Sequence, residues 1–206
     1  MADAARLVVA SRNAGKVAEM HRLLVAHVPD VEVLGLADVA AYDEPVEDQP
    51  TFEGNALLKA RAGVAATGLP CIADDSGLCV DALQGMPGVL SARWSGPPKS
   101  DERNNRLLLD QLADVPAERR GAEFRCAVAC VLPDGRTVVV EGVMRGRVIT
   151  ELRGEGGFGY DVLFVPDDQE GELTSAEMTP AQKDAVSHRG RALREIAPQV
   201  ATLLTS

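Results

Sequence analysis

The sequence predicts an α/β fold in which helices flank a mixed sheet, organised as one domain over residues 1–206. Three observations carry this prediction. A short apolar run, Leu7 to Ala10, passes through a polar turn into a segment with Val17, Met20, Leu23 and Leu24 at helical spacing. Later, Glu123 to Val148 switches to a period of two, broken by Pro133-Asp134-Gly135 in the manner of an antiparallel hairpin. Finally, 206 residues with 46% hydrophobic and 25% charged side chains suffice for one large core and exclude a disordered or fibrous chain.

The elements follow in order. A strand at Leu7–Ala10 meets the turn Ser11-Arg12-Asn13-Ala14-Gly15, and a helix starts at Lys16. Residues 41–50 (AYDEPVEDQP) are acidic and hold two prolines, which marks a loop; a helix from Phe52 to Thr67 follows, with Gly68 as its C-terminal cap. Cys71 to Ala73 reads as a strand ended by Asp74 and Asp75, and the glycine- and proline-punctuated stretch beyond them reads as loops and short elements. Ser100 caps a helix from Asp101 to about Leu112, with acids in its first turn as the helix dipole prefers. In the hairpin, Phe124, Cys126, Val128, Cys130 and Leu132 share one face, and the second strand runs from Thr137 to Val143. A glycine cluster (GEGGFGYD) precedes a strand at Val162–Val165. Thr179-Pro180-Ala181-Gln182 has the form of a capping box with proline at the first helical position, and a last helix follows His188.

Composition narrows the function. The formal charge, 21 − 31 = −10, repels a nucleic-acid backbone, and no Lys/Arg block or aromatic platform offsets it. Polymeric DNA or RNA is therefore not expected as a partner, whereas a small anionic ligand answers to local cations and backbone N–H groups. The N-terminal MADAARLVVAS contains only four consecutive apolar residues, which is neither a secretory signal nor a membrane span, so a cytoplasmic address is expected. Cys71, Cys79, Cys126 and Cys130 lack metal-clamp spacing, and His21, His27 and His188 form no HExxH, so the cysteines are expected as reduced core residues.

Two stretches carry candidate chemistry. VVASRNAGKV places a strand, a small polar loop and a lysine at a helix start, which offers an anion backbone N–H donors and one cation. It is no Walker A loop, because Ala10 and Val17 stand where glycine and a hydroxyl are required. An ordinary strand-to-helix turn with Lys16 in solvent is the other reading. In ADDSGL, residues 73–78, adjacent carboxylates at a strand end can divide the work of metal ligand and base, and Ser76 can donate to a phosphate. A solvated Asp-Asp turn before Gly77 is the alternative there.

Three separated motifs, SRNAGK (11–16), TFEGNALLKA (51–60) and ADDSGL (73–78), together resemble the inosine triphosphate pyrophosphatase family. GVLSARWSG (88–96), GFGYDVLF (157–164) and SHRGRAL (187–193) extend the match over almost the whole chain. The resemblance implies an elongated mixed sheet with two lobes and a central cleft. It also implies a homodimer that uses Mg²⁺ to hydrolyse deaminated purine nucleoside triphosphates (ITP, dITP, XTP) to the monophosphate and pyrophosphate. Carried over by position, it implies that the turn Ser11, Arg12, Asn13, Ala14, Gly15 and Lys16 holds the triphosphate, joined by Lys59, with Asn55 on the same helix face. Glu47 and Asp75 would bind the metal. Asp75 would also be the general base, supported by Asp74, with Ser76 a substrate contact. Phe158, Gly159, Tyr160 and Asp161 would form the base pocket, Lys183 another ligand contact, and His188 and Arg189 the readers of the purine edge. The chain departs from the family pattern in having Arg12 for a small residue, Ser11 for threonine and Val162 for proline.

Residue chemistry agrees with these roles. Attack on the α-phosphorus needs an activated water and a field of positive charge on the leaving pyrophosphate. Arg189 can only donate, which suits the 6-keto oxygen of hypoxanthine and xanthine and leaves the amino group of adenine unpaired. Two further readings stay open from sequence: a related pyrophosphatase for modified pyrimidine or methylated nucleotides, and a non-catalytic nucleotide sensor, which would have no need for Asp75 and Glu47.

Overall fold

A computed structural model of the chain describes residues 5–12, 14–27 and 31–205. Six strands form one sheet in the order β2-β1-β3-β4-β5-β6. They are β1 (Ala5–Val9), β2 (Val31–Leu34), β3 (Cys71–Val80), β4 (Gly121–Val131), β5 (Thr137–Val148) and β6 (Phe164–Pro166). The helices are α1 (Ala14–His27), α2 (Phe52–Thr67), α3 (Asp101–Gln111), α4 (Pro180–Val186) and α5 (His188–Thr205). The sheet is mixed as expected: β1 pairs parallel with β2 and β3, while β5 pairs antiparallel with β6. No described helix is long and apolar enough to cross a membrane.

Local chemistry fixes most boundaries where the sequence predicts them. Thr51 accepts from Gly54 N–H at 3.0 Å to start α2, and Gly68 ends it in the left-handed region at φ 66°. Ser100 accepts from Arg103 N–H to start α3. Thr179 and Gln182 form the reciprocal capping box of α4 behind Pro180. β4 and β5 are joined by the turn in which Leu132 N–H donates to Arg136 C=O.

One strand was not foreseen, and two expectations change. β2 has only the four residues VEVL, too short for a period to register, and owes its form to pairing with β1, Ala5 against Val31 through Val8 against Leu34. β6 begins at Phe164 rather than Val162, because Leu163 N–H turns back onto Tyr160 C=O. Most consequentially, Asp74 and Asp75 do not end a strand. β3 runs through both acids to Val80, carried by Leu78, Cys79 and Val80, which resume the apolar pattern beyond Gly77. What stops near the acids is β1, whose pairing with β3 ends at Val9 against Ile72.

The chain groups into two compact units, Met1–Asp75 with Cys126–Gly142 and Arg189–Ser206, and Ser76–Arg125 with Val143–His188. In the first, Leu7, Val9, Ile72, Cys126, Val128 and Cys130 of the sheet pack with Met20 and Leu24 of α1 and Leu193, Ile196 and Val200 of α5. In the second, Leu78, Val80, Phe124, Met144 and Phe164 pack with Leu108 and Leu112 of α3 and with Tyr160 and Leu163. The four cysteines are free thiols, as expected. Burial pushes Cys71 up to about 11 and, with Cys71 nearby, Cys130 up to about 12.

Helix α2 lies close on the sheet because, beyond Phe52 at its start, its buried residues are small: Asn55, Ala56, Ala60 and Gly63. A Cβ on Gly63 would stand 2.6 Å from Cys71 Sγ and 3.2 Å from the Tyr42 hydroxyl. Gly63→Ala therefore gains helix propensity of about 1 kcal/mol but overpacks the contact by about 1–3 kcal/mol. The expected net result in thermal unfolding is a melting temperature lower by about 2–4 °C.

Candidate active site

Successive side chains on a strand point to opposite faces, and this governs the acidic pair. Ile72 belongs to the core under α1 and α5, so Asp74, two residues on, turns to that same face. Cys71 meets α2 at Gly63, so Asp75 turns toward α2. The partners agree with this geometry. Lys16 Nζ of α1 donates to Asp74 Oδ2 at 2.9 Å, and Arg189 Nε of α5 donates to the same oxygen at 3.1 Å, with Cys126 Sγ at 3.8 Å. On the other face Asn55 Nδ2 of α2 donates to Asp75 Oδ2 at 2.9 Å, and Lys59 Nζ lies 3.8 Å from Asp75 Oδ1. Residues 55 and 59, one helical turn apart, thus address one carboxylate.

Lys59 has a second partner: its Nζ donates to Glu47 Oε1 at 2.7 Å. The loop that carries Glu47 is tied down twice, by Gln49 N–H donating to Asn55 Oδ1 at 3.0 Å and by Arg12, which donates to Tyr42 C=O and pairs with Glu44 at 3.4 Å. Arg12 thereby connects the turn after β1 to the acidic loop. The first unit so gathers three carboxylates (Glu47, Asp74, Asp75) and three cations (Lys16, Lys59, Arg189) in linked pairs.

Environment separates the two aspartates. Burial alone would raise Asp74, which is 2% exposed, but Lys16, Arg189 and Lys59 together hold it well below the ordinary carboxylate range. Asp75, 7% exposed, is raised, because burial and the Glu47 charge outweigh Lys59 and the Asn55 hydrogen bond. For Lys59 burial works against the charge, yet Asp74, Asp75 and Glu47 raise it further, so it stays an ammonium. One acid is thus a fixed counter-charge, and its neighbour is a carboxylate poised to take a proton.

The second unit holds another group of expected residues. Asp161 Oδ2 accepts from Phe158 N–H at 2.8 Å and from Lys183 Nζ at 2.6 Å, and that ammonium sits 5.3 Å from the centre of the Phe158 ring. Phe158 is 47% exposed, an aromatic ring held in the open by a buried acid. Gly157 and Gly159 both take positive φ, 72° and 63°, which lets the chain fold back on Asp161. Tyr160 is buried, its hydroxyl donating to Ser91 C=O at 3.0 Å. His188 stacks on Phe124 at 5.0 Å with the rings 11° apart and is buried.

Of the other expected residues, Ser11 follows β1, Ala14 and Gly15 open α1, and Ser76 continues β3. Asn13 lies outside the described residues. Sequence reading did not find Asp101 and Asn105 of α3, whose side chains bond to Gly159: Asp101 Oδ2 accepts from its N–H at 2.7 Å, and Asn105 Nδ2 donates to its C=O at 2.9 Å. Their only sequence signal was an acid in the first turn of a helix.

Known proteins share this chain's sequence pattern and fold. A model of the Ham1 family matches residues 7–199. The chain belongs to the Ham1 family. It is 61% identical to the dITP/XTP pyrophosphatase of Nocardia farcinica over 200 residues, covering 97% of this chain and 96% of that one. With the dITP/XTP pyrophosphatase of Cutibacterium acnes it shares 56% over 195 residues, 95% and 96% of the two chains. Among solved structures, the nucleoside-triphosphatase / dITP/XTP pyrophosphatase from Mycobacterium abscessus superposes with a TM-score of 0.78 at 55% identity, covering 94% of this chain and 99% of that one. The Ham1 protein of Staphylococcus aureus gives 0.85 at 36% identity over 96% and 99%. The Ham1 fold is therefore shared along nearly the full chain.

Two substitutions separate the aspartates by stability. Asp74→Asn strands two cations, so unfolding in urea at pH 7 should show a loss of about 3–5 kcal/mol. A depressed carboxylate stabilises above its unfolded value near 4 and loses that contribution as pH falls, so the gap between variant and parent should close in acid. Asp75→Asn should leave stability equal or higher at pH 7, since ionised Asp75 is held against its own preference.

Proposed function

We propose that the protein hydrolyses noncanonical purine nucleoside triphosphates, ITP, dITP and XTP, to the nucleoside monophosphate and pyrophosphate. One observation carries the reading. Glu47 and Asp75 converge on one cationic position, with Asp75 raised toward the range of a working base. The names of the relatives, dITP/XTP pyrophosphatases at 52–61% identity, support the choice of substrate.

Each side chain has a role in this reading. Lys16 and Lys59, with the backbone of the turn from Ser11 to Gly15, bind the triphosphate and spread its charge. Asn13, Ser76 and Arg12 contribute further contacts to it. Asp75 accepts the proton of the attacking water, and Asn55 fixes the carboxylate that does so. Asp74 orients Lys16 and Arg189. In the second unit Phe158 stacks on the purine, with Gly159, Tyr160, Asp161 and Lys183 forming its surroundings. His188 and Arg189 read the purine edge, where a donor meets the 6-keto oxygen and rejects adenine.

The donor set of Glu47 and Asp75, two hard carboxylate oxygens now facing Lys59 Nζ at 2.7 and 3.8 Å, fits Mg²⁺, which takes one or two carboxylates beside phosphate oxygens and water. Bound there, Mg²⁺ would supply charge neutralisation of the phosphates. The family resemblance also supports a cytoplasmic homodimer.

A steady-state screen of standard and deaminated nucleoside triphosphates, with product analysis, tests the proposal. ITP and XTP should release pyrophosphate and be preferred over ATP and GTP. Release of orthophosphate, or preference for a modified pyrimidine triphosphate, would overturn it. Asp75→Asn should lower kcat at least about 100-fold while the folded protein still binds nucleotide. EDTA should abolish turnover and added Mg²⁺ restore it.

A further inference from the structure

We propose that Asp101 and Asn105 are positioning residues that hold the base-recognition loop, Phe158–Asp161, by gripping both peptide groups that flank the Gly159 Cα. This rests on the reading of Phe158 as the ring that meets the purine. Gly159 takes φ 63°, and a Cβ there would meet nothing within 4 Å, so no side-chain packing restrains it. A glycine in that situation keeps the freedom to swing the ring that precedes it. The restraint comes from α3. Asp101 Oδ2 fixes the peptide N-terminal to Gly159 (N···O 2.7 Å), and Asn105 Nδ2 fixes the one after it (2.9 Å). Positions 101 and 105 are one turn apart and share a helix face. The start of α3 is itself set by the Ser100 cap.

A second observation shows that the Asn105 amide is there for its donor. The residue is 4% exposed, and its Oδ1 is buried with no hydrogen-bond partner among the described residues. A buried orphaned acceptor is costly, and an apolar residue of similar size would avoid it. Its neighbours within unit 2 complete the clamp: Phe158 N–H on Asp161, Tyr160 Oη on Ser91 C=O, and Lys183 Nζ on Asp161. Every residue from 158 to 161 is thus anchored, while the Phe158 ring stays half exposed. Ground-state placement of the purine should depend on the clamp; the chemistry at Asp75 should not.

Steady-state kinetics on the full chain test this. Asp101→Ala, at an exposed position where folding is not at stake, and the near-isosteric Asn105→Leu, which has no donor for Gly159 C=O, should each raise KM for ITP about tenfold. Both should leave kcat within about twofold and narrow the preference for ITP over GTP. Asp101→Asn, which keeps an oxygen for the Gly159 N–H, should bring KM back toward the parent value. Amide hydrogen exchange at residues 158–161 should quicken about tenfold in Asp101→Ala. An unchanged KM in Asp101→Ala where Phe158→Ala raises it, or a fall in kcat with KM intact, would overturn the proposal. Phe158→Ala separates the two layers: if it leaves KM for ITP unaltered while exchange in Asp101→Ala still quickens, the clamp stands and the base-site reading fails.

Discussion

The alternation of side chains along β3 is the constraint on which the rest of the first unit depends. Two neighbouring carboxylates are sent to opposite faces of the sheet, so each must be satisfied by a different set of elements. Asp74 draws on α1 and α5, and Asp75 draws on α2. The helices are therefore held not only by their apolar stripes but by the charges they must deliver. Buried charges are tolerated only when paired, and here the pairing is balanced, three against three.

That balance separates tasks that the two aspartates would otherwise share. The same residue type, one position apart, is held as an anion on one face and raised above its ordinary range on the other. The difference lies in the number and closeness of cations: two guanidinium and ammonium groups bond directly to Asp74, whereas Asp75 has an amide and a more distant ammonium that Glu47 also engages. The proposed pairing of a base with a metal-binding carboxylate asks for this asymmetry.

Much of this was legible in the sequence. α2 and its C-terminal cap, the capping box of α4, the long hairpin and the mixed sheet follow from local rules about Gly68, Thr179 and Pro133-Asp134-Gly135. Asn55 and Lys59 could be placed on one face from their spacing alone. The course of β3 through the acids was not legible, because turn preference assigns Asp-Asp-Ser-Gly to a loop. Only the cations on distant segments, Lys16 and Arg189 for one acid and Lys59 for the other, make a buried strand affordable there. Asp101 and Asn105 stayed hidden for a related reason: their partner is a backbone 54 to 58 positions away, and a backbone group leaves no mark in the sequence.

The sulfur atoms under the sheet carry a last consequence. Cys71 and Cys130 are sealed in the first unit with their thiols pushed up to about 11 and about 12, and Cys126 is buried beside Asp74. A thiolate, not a thiol, attacks alkylating reagents and disulfides, so the native chain protects Cys71 and Cys130 at neutral pH, and Cys126 is shielded by its burial. Their labelling rate is therefore a clock for opening of that core, recorded by sulfur atoms that the folded protein keeps silent.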